Sequence, residues 1–147
     1  MNQSVAEAQN NVGVKYSNGK GVPQDHYRAV KLFRLAADQG LAAAQSNLGL
    51  MYISGEGVPK DHKEAVKWFR LAADQGLADA QSNLGLMYAS GEGVPEDRKE
   101  AMKWFRRAAD QGHAEAQYNL GVAYDNGQGI PEDHKKTLKW YRLAADQ

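Results

Sequence analysis

No cysteine occurs in the 147-residue chain, neither sign of charge is in excess, and no apolar run is long enough to cross a bilayer. Each absence removes a class of protein. Without cysteine there is neither a disulfide framework nor a thiolate metal site. The compartment stays open, because cysteine-free proteins occur inside and outside the cytosol. Lys plus Arg and Asp plus Glu both total 18, so the electrostatic footprint of a nucleic-acid or anionic-membrane binder is missing. A bilayer span needs roughly 20 apolar residues, which excludes direct membrane insertion. The N-terminus, Met1-Asn-Gln-Ser-Val-Ala-Glu-Ala, has neither a charged nor an apolar signal region. The protein is expected in the cytoplasm if Met1 is its native start, and in the periplasm or secreted if a signal peptide was removed.

What is present is repetition. A 36-residue period runs four times through the chain, at 5–40, 41–76, 77–112 and 113–147, and the second and third copies differ at only six positions. A period of this length marks one supersecondary unit that cannot bury its own apolar face and must stack on its neighbours.

Each copy carries two helical patterns around a glycine loop. In the second copy Ala44, Leu48, Met51 and Tyr52 share one helical face, and Ala65, Trp68, Phe69, Ala72 and Ala73 share another. The second helix opens with Asp61-His62-Lys63-Glu64, an acidic cap with Glu three residues on, as in a capping box; Asp97 and Glu100 repeat it. The connecting Gly-x-Gly-Val/Ile-Pro segments hold Gly19 and Gly21, Gly55 and Gly57, Gly91 and Gly93, and Gly127 and Gly129. The first glycine of each pair suits the left-handed end of the first helix, as Gly40, Gly76 and Gly112 suit that of the second. Pro59 and Pro95 cannot continue the first helix and push the preceding Val toward extended geometry.

Helices of about 12 residues are marginal alone in water, so neighbours must stabilise them. Ala44, Gly49, Ala65, Ala72 and Ala73 let backbones approach closely. Trp68, Trp104 and Trp140 each offer burial on the order of a few kcal/mol. The expected fold is all-α, an α/α solenoid of four 36-residue helix–loop–helix repeats. It forms one array over 5–147, with residues 1–4 as a short leader.

The segment Ala116-Gln-Tyr-Asn-Leu-Gly-Val-Ala-Tyr-Asp-Asn-Gly-Gln-Gly-Ile-Pro, followed by Lys139-Trp-Tyr-Arg-Leu-Ala-Ala-Asp-Gln, resembles the Sel1-like repeat. That family is similar to the tetratricopeptide repeats, with a slightly longer unit and this Gly-x-Gly loop. The resemblance extends over nearly the whole chain from Val5 onward; Leu32 departs from the Trp of the other copies and Thr137 from their Ala. It implies a right-handed superhelix whose first helices line a concave binding surface. It also implies an interaction scaffold without chemistry of its own, of the kind that serves in signalling, membrane-protein quality control and bacterial contacts with hosts or competitors. A cysteine-rich bacterial branch linked to β-lactam binding carries a disulfide in each repeat, and this chain does not fit it.

Comparison among the copies separates two kinds of position. The Gln, Asn, Gly and Tyr of the first helix and the Lys, Arg, Ala-Ala and Asp-Gln of the second are identical in all four, as stacking requires. The varying positions of the first helix include Asn10/Ser46/Ser82/Tyr118, Val14/Leu50/Leu86/Val122 and Ser17/Ile53/Ala89/Asp125. Spaced i, i+4 and i+7, they share one face roughly opposite the packing stripe. They form either a mixed apolar groove for a peptide or helix or a contact between adjacent first helices. Asn11, Asn47, Asn83 and Asn119, one per repeat, either bond the backbone of an extended peptide or make a structural bond to a neighbouring loop.

Residues that invite a chemical reading recur as structural parts. His26, His62 and His134 occupy equivalent positions, with Arg98 in the third copy. At spacings on the order of 10 Å they cannot share a metal that needs about 2 Å per ligand. His113 replaces Leu41 and Leu77 and reads as a boundary residue without an evident partner. The glycine loops lack the third glycine and preceding strand of a dinucleotide fingerprint, and the Lys-Ser/Thr of a phosphate loop. Asp61/Glu64 and Asp97/Glu100 recur as helix starts and converge on no site. Arg34, Arg70, Arg106 and Arg142 are expected to pair with neighbouring repeats or face solvent. No metal, cofactor or catalysis is expected.

The function expected is a scaffold or adaptor that binds a peptide or protein segment on the first-helix surface. The alternatives are an immunity- or antitoxin-like neutraliser of a partner enzyme and a glycan or small-molecule binder. Self-association through open terminal repeats is a further expectation.

Overall fold

A computed structural model of the protein describes residues 3–127 and 133–147; Met1, Asn2, Gly129 and Pro131 lie outside the described residues. Eight helices run through them: α1 (Gln3–Asn18), α2 (His26–Asp38), α3 (Ala42–Ser54), α4 (His62–Asp74), α5 (Ala78–Ser90), α6 (Arg98–Asp110), α7 (Ala114–Asn126) and α8 (His134–Ala145). Gln3 and Ser4, assigned from the sequence to a leader, belong to α1.

The chain divides into two compact units, residues 1–75 and 76–147. In the first, α1 packs on α2, α3 on α4, and α2 also on α3; in the second, α5 packs on α6, α7 on α8, and α6 also on α7. This is the all-α solenoid architecture of four helix–loop–helix repeats. The apolar faces read from the sequence form the cores. Ala29, Phe33, Ala36, Ala44 and Leu48 centre the first, and Ala101, Phe105, Ala108, Ala116 and Leu120 the second. Trp68, Trp104 and Trp140 are all buried.

The helix ends follow from local chemistry. Asp25, Asp61, Asp97 and Asp133 cap the second helices, and the Asp61 carboxylate accepts from the Glu64 amide at 3.1 Å. The reciprocal half of the expected capping box is absent. The Asp61 amide donates instead to the Tyr52 carbonyl at 3.0 Å, tying the loop to α3, and Glu64 sits 3.7 Å from Lys67. α2 and α6 end in a Schellman arrangement: in α2 the Gly40 amide donates to Ala37 O at 2.9 Å and the Leu41 amide to Ala36 O at 3.3 Å.

Identity across the copies has a contact behind it. A Cβ on Gly49 would fall 2.7 Å from the Phe69 ring, and one on Gly13, Gly85 or Gly121 would fall 2.8 Å from Phe33, Phe105 or Tyr141. The missing side chain therefore lets each second helix press a ring onto the first. At Gly57 the constraint is double, because φ is 76° and a Cβ would meet the His26 carbonyl oxygen at 2.3 Å.

Amide relays join successive repeats. Gln75 Nε2 donates to Gln45 Oε1 and to the Gly40 carbonyl, both at 2.9 Å, while Gln45 Nε2 donates to Ala37 O at 3.2 Å. Gln111, Gln81 and Gly76, with Gln117 and Ala109, repeat the pattern in the second unit. The second-helix arginines reach the tyrosine of the next first helix, Arg34 to the Tyr52 hydroxyl and Arg106 to that of Tyr124. Arg106 also lies 3.4 Å from Asp110.

Two histidines do more than the sequence suggests. His26 Nε2 lies 2.9 Å from Glu56 in the loop of the following repeat. His113, which reads as a partnerless boundary residue, is the N-cap of α7: its Nδ1 accepts from the Ala116 amide at 3.2 Å, and its Nε2 lies 2.8 Å from Asp79. With Nδ1 accepting, Nε2 carries the proton and donates to the carboxylate. Asp79 replaces Ala43 of the preceding copy, so two departures from the repeat meet. Their 34-residue separation hides the pair in the sequence.

Candidate functional site: the first-helix face

In the first unit, α1 and α3 flank a depression of about 370 Å³. Its walls are Val14, Ser17, Asn47, Leu50, Ile53 and Glu56, and Phe33 and Met51 form its floor. In the second unit, a smaller depression of about 130 Å³ lies between α5 and α7, walled by Leu86, Ala89, Arg98, Asn119 and Val122 with Met102 and Phe105 beneath. The helical spacing that groups these positions in the sequence thus places them around a concavity in each unit. Leu50 is 45% exposed and Leu86 38%, so each leaves apolar area at the rim of its depression.

Other candidate positions have different surroundings. Asn10, Ser46 and Ser82 are buried, whereas Tyr118 at the same register is 56% exposed. Asn11 is exposed and Asn83 half-buried. The Asn47 amide donates to Asn10 Oδ1 at 3.0 Å, a rung between adjacent first helices that differs from both sequence expectations for this asparagine. In the second unit the equivalent positions are Ser82 and Asn119, and there Ser82 Oγ and Asn119 Nδ2 are both buried without a partner. Serine is shorter than asparagine by one heavy-atom link, so the rung is open.

Tyr118 and Tyr141 face each other with centroids 5.4 Å apart. Partial burial raises the Tyr141 hydroxyl above the ordinary tyrosine range, and the nearby Asp125 carboxylate and Tyr118 add to the shift. Asp125 itself lies 3.3 Å from His134 Nδ1. The floor residues Phe33 and Phe105 escaped the comparison among copies because their position reads Phe33, Phe69, Phe105 and Tyr141, and Met51 because it falls on the packing stripe, so they read only as core.

Among the described residues no three His, Asp or Glu side chains cluster in a way that could hold a metal, and no helix is long and apolar enough to cross a membrane. The first-helix surface offers apolar area, amide groups and a tyrosine pair, which suit non-covalent recognition.

Helical hairpins stacked second helix to first define a helical-repeat protein of the tetratricopeptide-like class. The Sel1 repeat profile matches residues 6–41, 42–77, 78–113 and 114–147, and the chain belongs to the Sel1 repeat family. No curated protein matches it. Among solved structures it is similar to c5321, a protective antigen of uropathogenic Escherichia coli strains, at 45% identity and a TM-score of 0.93, covering 97% of this chain and 30% of that one. A Sel1 repeat protein from Oxalobacter formigenes is 40% identical with a TM-score of 0.91, covering 96% of this chain and 58% of that one. The chain thus spans less than two thirds of both relatives. Cysteine rich protein B of Helicobacter pylori shares the fold at 18% identity and a TM-score of 0.66, covering 87% of this chain and 92% of that one.

Proposed function

We propose that the protein is a non-catalytic interaction scaffold whose first-helix face holds a segment of another protein. The supporting observation is the recurrence of an apolar-rimmed depression at the same register in both units, with Leu50 and Leu86 exposed at the edges. Side chains released from stacking and left apolar lose hydration on contact with a partner, which favours association.

The test replaces Leu50, Leu86 and Tyr118 together by Glu. All three are exposed, so helicity and melting should stay within about 1 kcal/mol of wild type, while capture of a partner segment from lysate of the source cell is lost. Unchanged capture refutes the reading, and collapse of the fold assigns the three positions to the core. A captured enzyme that is inactive only with the wild-type protein marks a neutraliser rather than a general adaptor.

A further inference from the structure

The outer faces of the second helices carry a depression at one register in both units, and its chemistry differs between them. In the first unit it measures about 420 Å³ and is lined by Tyr27, Val30, Lys31, Arg34 and Leu35 of α2, with Val58 from the following loop. In the second unit it measures about 460 Å³ and lies over α6 and α7. Two repeat periods carry Val30 to Met102, Lys31 to Lys103 and Arg34 to Arg106, but Tyr27 to Lys99 and Leu35 to Arg107. Two substitutions therefore raise the cations of the lining from two, Lys31 and Arg34, to four. Its floor stays apolar: Met102, Leu120 and Tyr124 are all buried.

We infer that this cationic depression is a second docking surface, which takes an acidic segment of a partner protein with an apolar side chain among its carboxylates. The charges are available for exchange. Lys103 lies 3.6 Å from Glu100, and Arg106 Nε lies 3.4 Å from Asp110, in exposed pairs that solvent screens. Arg107 is held over the Trp104 ring at 4.5 Å and Arg106 over Trp140 at 5.3 Å, which orients both guanidinium groups. A carboxylate can take either guanidinium in bidentate fashion, while an adjacent apolar side chain enters over Met102 and Leu120.

A nucleic acid fits less well. Residues 76–147 hold 11 Asp and Glu against 9 Lys and Arg, a net charge of 9 − 11 = −2. Glu100 and Asp110 also stand beside the cations, where they would repel a continuous phosphate track.

The experiment measures fluorescence anisotropy of a short labelled peptide of Asp and Glu around a central Phe. The intact chain is compared with the double variant Lys99→Tyr/Arg107→Leu, which copies the first unit. Binding should fall roughly tenfold in the variant, weaken as salt rises, and fall again when the Phe is replaced by Ser. The first-helix variant Leu50→Glu/Leu86→Glu/Tyr118→Glu should bind the peptide as wild type does, which separates this surface from the one proposed above. Both altered residues are exposed, and an unchanged melting curve verifies folding. Absence of binding to the wild type, binding unaffected by the double variant, or equal binding of a single-stranded oligonucleotide of the same charge overturns the inference.

Discussion

Tyr141 shows how a single residue can report on the first-helix face. Its ring packs against Gly121, and partial burial, together with Asp125 and Tyr118, raises its ionisation range. The folded protein therefore holds this proton more tightly than the unfolded chain. The stabilisation is fully present below the ordinary tyrosine value of about 10 and is lost as pH rises through the higher folded value. The difference in phenolate absorbance between wild type and Tyr141→Phe should titrate above the ordinary range, and Asp125→Asn should bring it down. A midpoint at the ordinary value would contradict the local geometry. The open rung yields a second test at this scale. Asn10 and Asn47 bond at 3.0 Å, whereas Ser82 and Asn119 leave two buried polar atoms unmatched. Ser82→Asn should close the rung and raise unfolding free energy by roughly 0.5–1.5 kcal/mol in denaturant melts. A loss of stability would mean that the site lacks room for the larger side chain.

At the scale of the element, the hairpin depends on a ring pressed against a backbone. Gly49→Ala adds a methyl group 2.7 Å from the ring of Phe69, which is itself 1% exposed and has nowhere to move. Overpacking costs about 1–3 kcal/mol, and the gain in helix propensity is about 1 kcal/mol, so the variant should lose roughly 1 kcal/mol net. In Gly49→Ala/Phe69→Leu the clash is removed, and the second substitution should then cost less than it does alone. Strict additivity in that double-mutant cycle would exclude the contact as the reason for glycine. Helix positions, caps and core faces were legible in the sequence because they depend on neighbours three or four residues apart. The missing half of the capping box was not legible, because the Asp61 amide goes to Tyr52, nine residues back.

Across the whole molecule, stability divides into what each repeat contributes and what each junction contributes. The Gln45 relay belongs to a junction: it bonds Ala37 of the preceding repeat and receives Gln75. Gln45→Leu should cost about 1–3 kcal/mol by leaving buried amide and carbonyl groups unmatched, and should lower the steepness of the denaturant transition by uncoupling neighbours. An unchanged slope with lower stability would place the relay inside the repeat. The candidate surface was only partly legible in the sequence. Register grouped Val14, Leu50 and Leu86 on one face, yet it also grouped the buried Asn10, Ser46 and Ser82 with them. Helical spacing reports direction but carries no information on how close the next helix lies.

The 36-residue period by itself determined the number of repeats, their two helices, their glycine ends and the family, because each follows from local spacing and backbone conformation. Only the tertiary structure decided which residues touch: glutamine to glutamine 30 residues away, arginine to tyrosine 18 away and His113 to Asp79 34 away. It also decided where the outer cations gather over an apolar floor. Those pairings depend on how hairpins stack, and stacking brings together residues that the linear pattern keeps apart.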